Sequence, residues 1–209
     1  MNSATPGQGT LYVVATPIGN LEDLTFRALR VLKEVALVAA EDTRHSRKLF
    51  QHYGITTPLT SCHAHNEAAK VESLLTRLQQ GESIALISDA GTPAISDPGF
   101  VLVRQCRERG IAVAAVPGPS AVTAALSIAG LPVDRFAFEG FLPAKQGARR
   151  ELLQGLHNEE RTLVFYEAPH RLLAALHDIL LKFGAAREIA VARELSKLHE
   201  EVFRGSAEA

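Results

Sequence analysis

Short apolar runs alternate with helical stripes through the first part of the chain. The run Leu11 to Ala15 stops at Thr16-Pro17 and predicts a buried strand. Four further runs, 36–40, 59–62, 83–87 and 111–116, read the same way. Between them apolar positions recur at helical spacing. Leu24, Ala28, Val31, Leu32 and Val35 mark a first helix, and Thr43 to Tyr53 a second, stopped by Gly54. Val71, Leu74, Leu75 and Leu78 mark a third helix over Glu67 to Gln80, closed by Gly81. A fourth covers Phe100 to Arg109 and a fifth Ser120 to Ala129, closed by Gly110 and Gly130. Strand–helix alternation predicts an α/β protein with a mostly parallel, doubly wound sheet. Right-handed crossovers then place helices on both faces. In such sheets ligands sit beyond the carboxyl ends of the strands.

The pattern changes after Leu131-Pro132. Strands are expected at Arg135 to Phe141, Thr162 to Tyr166, Ile189 to Arg193 and Glu201 to Arg204. Leu142 to Gly147 reads as a loop into a short helix. Leu172 to Phe183 reads as a helix with Leu173, Leu176, Leu180 and Phe183 aligned. These signals predict a leader over 1–9, an N-terminal α/β domain over 10–131 and a smaller C-terminal α/β domain over 132–209. The second domain has a small core by the surface-to-volume argument. The leader is polar and rich in small residues, without the basic and apolar regions of a signal peptide, and is expected to fray. Ala209 follows a strand signal directly, so the natural chain is expected to continue.

Composition narrows the class. Hydrophobic residues are 46% and charged residues 22%, the balance of an ordinary soluble domain with a real core. Cys62 and Cys106 each lie in an apolar segment, which predicts buried, reduced thiols in a cytoplasmic protein. No run of eighteen apolar residues predicts a membrane span. A net charge of −1 argues against a broadly basic nucleic-acid surface. Distribution can overrule the sum. The window from Lys145 to Arg150 holds Lys145, Arg149 and Arg150 with no acid, which is either a phosphate-binding patch or a solvated helix start.

The unusual residues all follow strand ends. Asp89 to Gly99 packs glycine, proline and small residues between a strand and a helix. Asp97 as N-cap and Pro98 at the first helical position would be good capping chemistry. That leaves Ala90 to Ile95 without a purely structural task, and backbone there can approach a ligand. Pro117 to Ala121 occupies the same position after the next strand, with Ser120 as a capping alternative. Two neighbouring small-residue loops point to a shared pocket. Glu41-Asp-Thr-Arg44 puts two carboxylates and a guanidinium at another strand end. There Asp42 or Thr43 caps the next helix and Arg44 pairs with Glu41, or the group grips a substrate or supplies a base. His63, His65, Asn66 and Glu67 follow the third strand; His-x-His alone is a weak metal signal, and Asn66 is a ready helix cap. No metal is expected. No G-x-S-x-G elbow, Walker loop or G-x-G-x-x-G occurs, which argues against classical nicotinamide binding at Thr16 to Asn20.

Taken together, six segments in order resemble the tetrapyrrole (corrin/porphyrin) methylases, in the branch that acts on ribosomal RNA. They are 11–21, 41–44, 88–99, 117–121, 166–171 and 193–197, and the resemblance covers about Thr10 to Gly205. It implies a two-domain tetrapyrrole-methylase fold with S-adenosyl-L-methionine in the cleft between the domains. It also implies a cytoplasmic homodimer. The implied task is 2′-O-methylation of a cytidine in the decoding region of 16S rRNA, on the small ribosomal subunit, with no DNA or membrane partner. Family donor contacts match Ala90, Gly91, Thr92, Pro93, Ile95, Pro117, Ser120, Ala121, Leu142, Ala168 and Pro169. Pro17, Gly19 and Asn20 match the substrate side of the cleft. Family chains run well past 193–197, so Ala209 is an early end.

Methyl transfer is an in-line displacement, so donor and acceptor must be held close and aligned. A ribose hydroxyl is a poor nucleophile and gains from a base or an alkoxide-stabilising cation. Glu41, Asp42 and Glu67 are the candidates to orient or deprotonate it, with Arg44, Lys145, Arg149 and Arg150 as candidates for phosphate. Fold does not fix substrate. A tetrapyrrole or other small-molecule methyltransferase is therefore one alternative, and a non-enzymatic sensor of an adenosine ligand a second.

Overall fold

A computed structural model describes residues 7–63 and 67–209, with the backbone alone for 67–69. The expected cap Asn66 and His65 lie outside the described residues. The chain divides into two compact units, 1–120 and 121–209. The sequence pattern predicts a boundary at 131–132; in the structure the helix over Ala121–Ile128 goes with the second unit.

The first unit is built on a parallel sheet. Its strands are β1 (Thr10–Val14), β2 (Leu37–Ala40), β3 (Leu59–Ser61), β4 (Ile84–Ile87) and β5 (Ala112–Val116). They lie in the order β3-β2-β4-β1-β5, with every neighbouring pair parallel. The connecting helices are α1 (Phe26–Glu34), α2 (Thr43–Tyr53), α3 (Glu67–Gln79) and α4 (Phe100–Glu108). Successive strand side chains point to opposite faces, and the core obeys that alternation. Ala85 and Ile87 pack on one face with α1 and α2, through Leu32, Leu49 and Phe50. Ile84 and Leu86 pack on the other with α3 and α4, through Leu74, Leu75 and Leu102. Every residue of β2 and β4 is buried, as strands covered on both faces must be. Cys62 and Cys106 are buried in this core and form no disulfide, and burial pushes the Cys106 thiol up to about 11.

Helix limits follow the local chemistry. Asp42 caps α2 by accepting from the Arg44 N–H, and Gly54 ends it in the left-handed region. The expected cap of α4 is corrected. That helix starts at Phe100 with Gly99 as N-cap, so Asp97 does not cap it and Pro98 is not its first residue. Gly99 has φ +123°, and a Cβ there would lie 2.6 Å from Leu86 Cδ2. The close approach of this turn to β4 decides where the helix starts. Asp97 instead hydrogen-bonds Ser88.

The second unit is a smaller α/β body. It holds α5 (Ala121–Ile128), β6 (Phe136–Phe141), α6 (Gln146–Gly155), β7 (Thr162–Tyr166), α7 (Leu172–Phe183), β8 (Glu188–Arg193) and β9 (Glu201–Ser206). Strands β6 and β7 form a parallel pair, β8 and β9 an antiparallel one. Its fully buried apolar centre is Leu142, Leu153 and Ala175, supported by Leu152, Phe165, Ile179 and Phe183.

Candidate active site

The carboxyl ends of β2, β3 and β4 form the wall of an open cavity of about 480 Å³. Glu41, Asp42, Thr43, Arg44, Ser61, His63 and Asp89 line it. Glu41 is the first residue past β2. Its Oε2 accepts the Asp89 N–H at 3.3 Å, across two neighbouring strand ends. Burial raises its pKa, the Asp89 N–H opposes that, and the charges of Asp97, Asp89 and Asp42 add to the rise. Asp42 is different. Arg44 holds it through Nε at 3.2 Å and Nη2 at 2.9 Å. Those bonds and the Arg44 backbone N–H lower the Asp42 carboxyl to about 2. The expected Arg44–Glu41 pair is thus corrected to Arg44–Asp42, because the cap geometry turns Asp42 toward the first turn of α2. Burial raises Asp97 as well, with the Ser88 hydroxyl opposing and the Asp89 charge adding.

A second feature adjoins this cavity on the same sheet. The loops after β1, β4 and β5 converge. Thr16 and Gly91 exchange backbone hydrogen bonds at 2.9 and 3.0 Å. A Cβ on Gly91 would lie 3.6 Å from Ile18 Cγ2 and 3.8 Å from Pro119 O. Gly118 passes so close to β1 that a Cβ there would meet Ala15 Cβ at 3.1 Å. At Gly118 the missing Cβ allows the approach, and at Gly91 glycine permits the φ of +79°. Ala90, Ile95 and Pro117 are exposed, Thr92 and Ser120 half-buried, and Pro93 buried. Ala94 and Ser96 hold positive φ of 68° and 63°. Pro17 and Asn20 are half-buried and Gly19 exposed, and the Asn20 side chain caps the short 3₁₀ turn Leu21–Asp23.

In the second unit Leu142 and Ala168 follow the ends of the paired strands β6 and β7. Phe141 and Tyr166 stand opposite in that pair, with ring centroids 5.4 Å apart. Ala168 donates its N–H to Glu167 Oε1 at 2.8 Å, and Glu167 pairs with Arg171 one helical turn on. Leu142 is buried, Ala121 and Ala168 half-buried, and Pro169 exposed.

The basic window divides. Lys145 is exposed. The Arg149 side chain is 4% exposed and bonded to the fully buried Asp178, 2.8 Å from Nε and 2.7 Å from Nη2. Arg149 is therefore corrected from a phosphate candidate to an internal ion-pair member. Arg150 bonds the other Asp178 oxygen at 2.6 Å but keeps 35% of its side chain exposed. Burial favours a neutral Asp178, yet the two guanidiniums outweigh it and hold the carboxyl below its usual range. The Glu67 side chain lies outside the described residues. Among the described residues, no group of His, Cys, Asp and Glu is arranged to hold a metal, and no helix is long and apolar enough to cross a membrane.

The sequence pattern places Asp89 in the small-residue loop but assigns no role to its carboxylate or to that of Asp178. Asp89 stands two residues past β4 as Glu41 stands one past β2, and an acid just beyond a strand is a usable signal. Asp178 is the one acid in the apolar run of α7, 172–183, which was another.

Comparison with known proteins gives a consistent result. The sequence pattern of the Tetrapyrrole (Corrin/Porphyrin) Methylases matches residues 10–209. A Ribosomal RNA small subunit methyltransferase I from Pseudomonas aeruginosa is 64% identical over 93% of this chain and 69% of its own length. A protein of the same name from Xylella fastidiosa is 58% identical over 97% of this chain and 74% of its own. The solved uroporphyrin-III-C-methyltransferase from Thermus thermophilus shares the fold at a TM-score of 0.67 and 24% identity, over 96% of this chain and 86% of that one.

Proposed function

Because the chain belongs to the tetrapyrrole (corrin/porphyrin) methylase family, we propose that it is an S-adenosyl-L-methionine-dependent methyltransferase of ribosomal RNA. Its acceptor in this reading is a cytidine 2′-hydroxyl in the decoding region of 16S rRNA, presented on the small subunit to a cytoplasmic homodimer. Relatives at 64% and 58% identity carry a ribosomal RNA small subunit methyltransferase name, and that supports an RNA acceptor.

One observation carries the chemistry. The Glu41 cavity and the small-residue loops meet at a single strand, β4, whose end supplies Asp89 to the first and Ala90–Ile95 to the second. The loop residues fit a nucleoside sulfonium donor. Ala90 and Ile95 are exposed, and the small side chains around them leave backbone within reach of a ligand. When bound, that donor supplies an electrophilic methyl group. In the first unit Ala90, Gly91, Thr92, Pro93, Ile95, Pro117 and Ser120 would hold it; within the second unit Ala121, Leu142, Ala168 and Pro169 are the residues that match the family's donor contacts. Glu41 takes the proton of the 2′-hydroxyl. A base works best with a pKa near the operating pH, and the Glu41 carboxyl is raised toward it while Asp42 is lowered to about 2 and occupied by Arg44. Asp42 and Arg44 form the polar rim, with Pro17, Gly19 and Asn20 on the acceptor side. Lys145 and Arg150 are the phosphate contacts.

Labelled-methyl transfer to 30S subunits from cells lacking the protein, followed by nucleoside analysis, tests this. The expected product is a 2′-O-methylcytidine. Glu41→Gln is expected to lower the rate by roughly a hundredfold or more with the fold intact. A base-methylated product, or no product, overturns the reading.

A further inference from the structure

We propose that Asp89 is a positioning residue that holds the Glu41–Asp42 turn in register with the Ala90–Ile95 loop. This rests on the reading of Glu41 as the proton acceptor.

Asp89 makes two bonds to the end of β2. Its Oδ1 accepts the Asp42 N–H at 3.1 Å, and its own N–H donates to Glu41 Oε2 at 3.3 Å. A residue that only shapes its own turn would bond locally; these partners stand 47 and 48 positions away in the chain. The same segment is tied to β1 on its other side. Thr16 Oγ1 donates to Ser88 O at 3.1 Å, and the Thr16–Gly91 backbone pair follows two residues after Asp89. Asp89 therefore sits between two clamps, one on the cavity and one on the loops. Movement of the Ala90–Ile95 loop reaches the Glu41 carboxylate through it.

Its charge acts on the same group. Glu41 is faced by the carboxylates of Asp97, Asp89 and Asp42, and Arg44 and His63 are the other titratable groups that line the cavity. Burial and these carboxylates raise the Glu41 carboxyl, while the Asp89 N–H holds one of its oxygens in place and lowers it. One residue thus orients Glu41 and acts on its carboxyl in two directions: its N–H bond, the larger effect, lowers it, and its charge raises it.

Two variants separate the contributions. Asp89→Asn keeps an acceptor oxygen for the Asp42 N–H and removes the charge; Asp89→Ala removes both. The Glu41 carboxyl is titrated by carbon-13 NMR in the ligand-free protein, and kcat and KM for 30S subunits are measured across pH. In Asp89→Asn we expect Glu41 to titrate at lower pH than in the wild type, the acid limb of kcat to move with it, and the plateau kcat to fall by less than in Asp89→Ala. In Asp89→Ala we expect the plateau kcat to fall by roughly tenfold to a hundredfold with KM little changed. An unmoved Glu41 titration in Asp89→Asn overturns the proposal, even if the alanine variant does not fold. So does a plateau in Asp89→Asn as low as in Asp89→Ala. A Glu41→Gln enzyme with wild-type kcat would instead sink the reading of Glu41 as proton acceptor, a result separate from the ligand-free titration.

Discussion

Strands β2 and β4 bury every residue, and the carboxylates Glu41 and Asp89 stand just beyond them, at the rim of a cavity. In the second unit no strand is buried throughout, and its carboxylate Asp178 lies inside, wholly hidden between Arg149 and Arg150. The contrast follows from layers. A five-stranded sheet with helices on both faces makes two apolar layers without any help from charge. Two separate two-stranded sheets leave a thin apolar centre, and an ion-pair triad occupies part of the interior. Charge above a deep apolar layer stays available for chemistry. Charge within a thin one is committed to structure.

The sharpest way to break this comparison is Asp178→Ala. It leaves two guanidiniums without their acceptor, one of them buried, and a loss of about 3–5 kcal/mol in denaturant unfolding is expected. A loss below about 1 kcal/mol would put Asp178 in the same class as a surface acid. The pH dependence has a defined sign. The folded Asp178 carboxyl is held below its unfolded value of about 3.9, so its contribution is present above that pH and is lost as pH falls through the folded value. In Asp178→Asn this acid-side loss should disappear from the stability curve.

A smaller effect is expected at the close approach between β4 and the turn before α4. Gly99→Ala places a methyl group 2.6 Å from a buried leucine at φ +123°, and should cost about 1–3 kcal/mol. Thermal unfolding that matches the wild type would show that the turn adapts and does not set the helix start. The smallest effect belongs to Arg44→Ala. That pair has side chains 85% and 34% exposed, and the unfolding midpoint should hardly move. The Asp42 carboxyl should nonetheless rise from about 2 toward its ordinary value, which NMR titration would show. A midpoint shift as large as that of Asp178→Ala would erase the distinction between rim charge and interior charge.

The periodic elements were legible because their signals are local. Helix α2 runs over Thr43–Tyr53, as predicted with Gly54 as its stop, and all five strands of the first unit appear where apolar runs stood. Glu41, Asp42 and Arg44 do share one cavity. What escaped were features set by distant partners. Asp97-Pro98 has good capping chemistry, but Leu86 on β4 dictates the turn. Arg149 reads as surface charge because its acid lies 29 residues on, in another helix. The role of Asp89 depends on β4 lying beside β2, an adjacency that a linear pattern does not display.

The order β3-β2-β4-β1-β5 also sets a schedule for synthesis. Strand β1 is made before the other four strands of this sheet, yet among the described residues its partners are β4 and β5. Its apolar run, Leu11 to Ala15, leaves the ribosome without a partner and must wait until β4, and then β5 through Val116, have emerged. At about 5–20 residues per second, that wait lasts several seconds. During it the nascent chain carries an unpaired β-prone segment open to association with other chains.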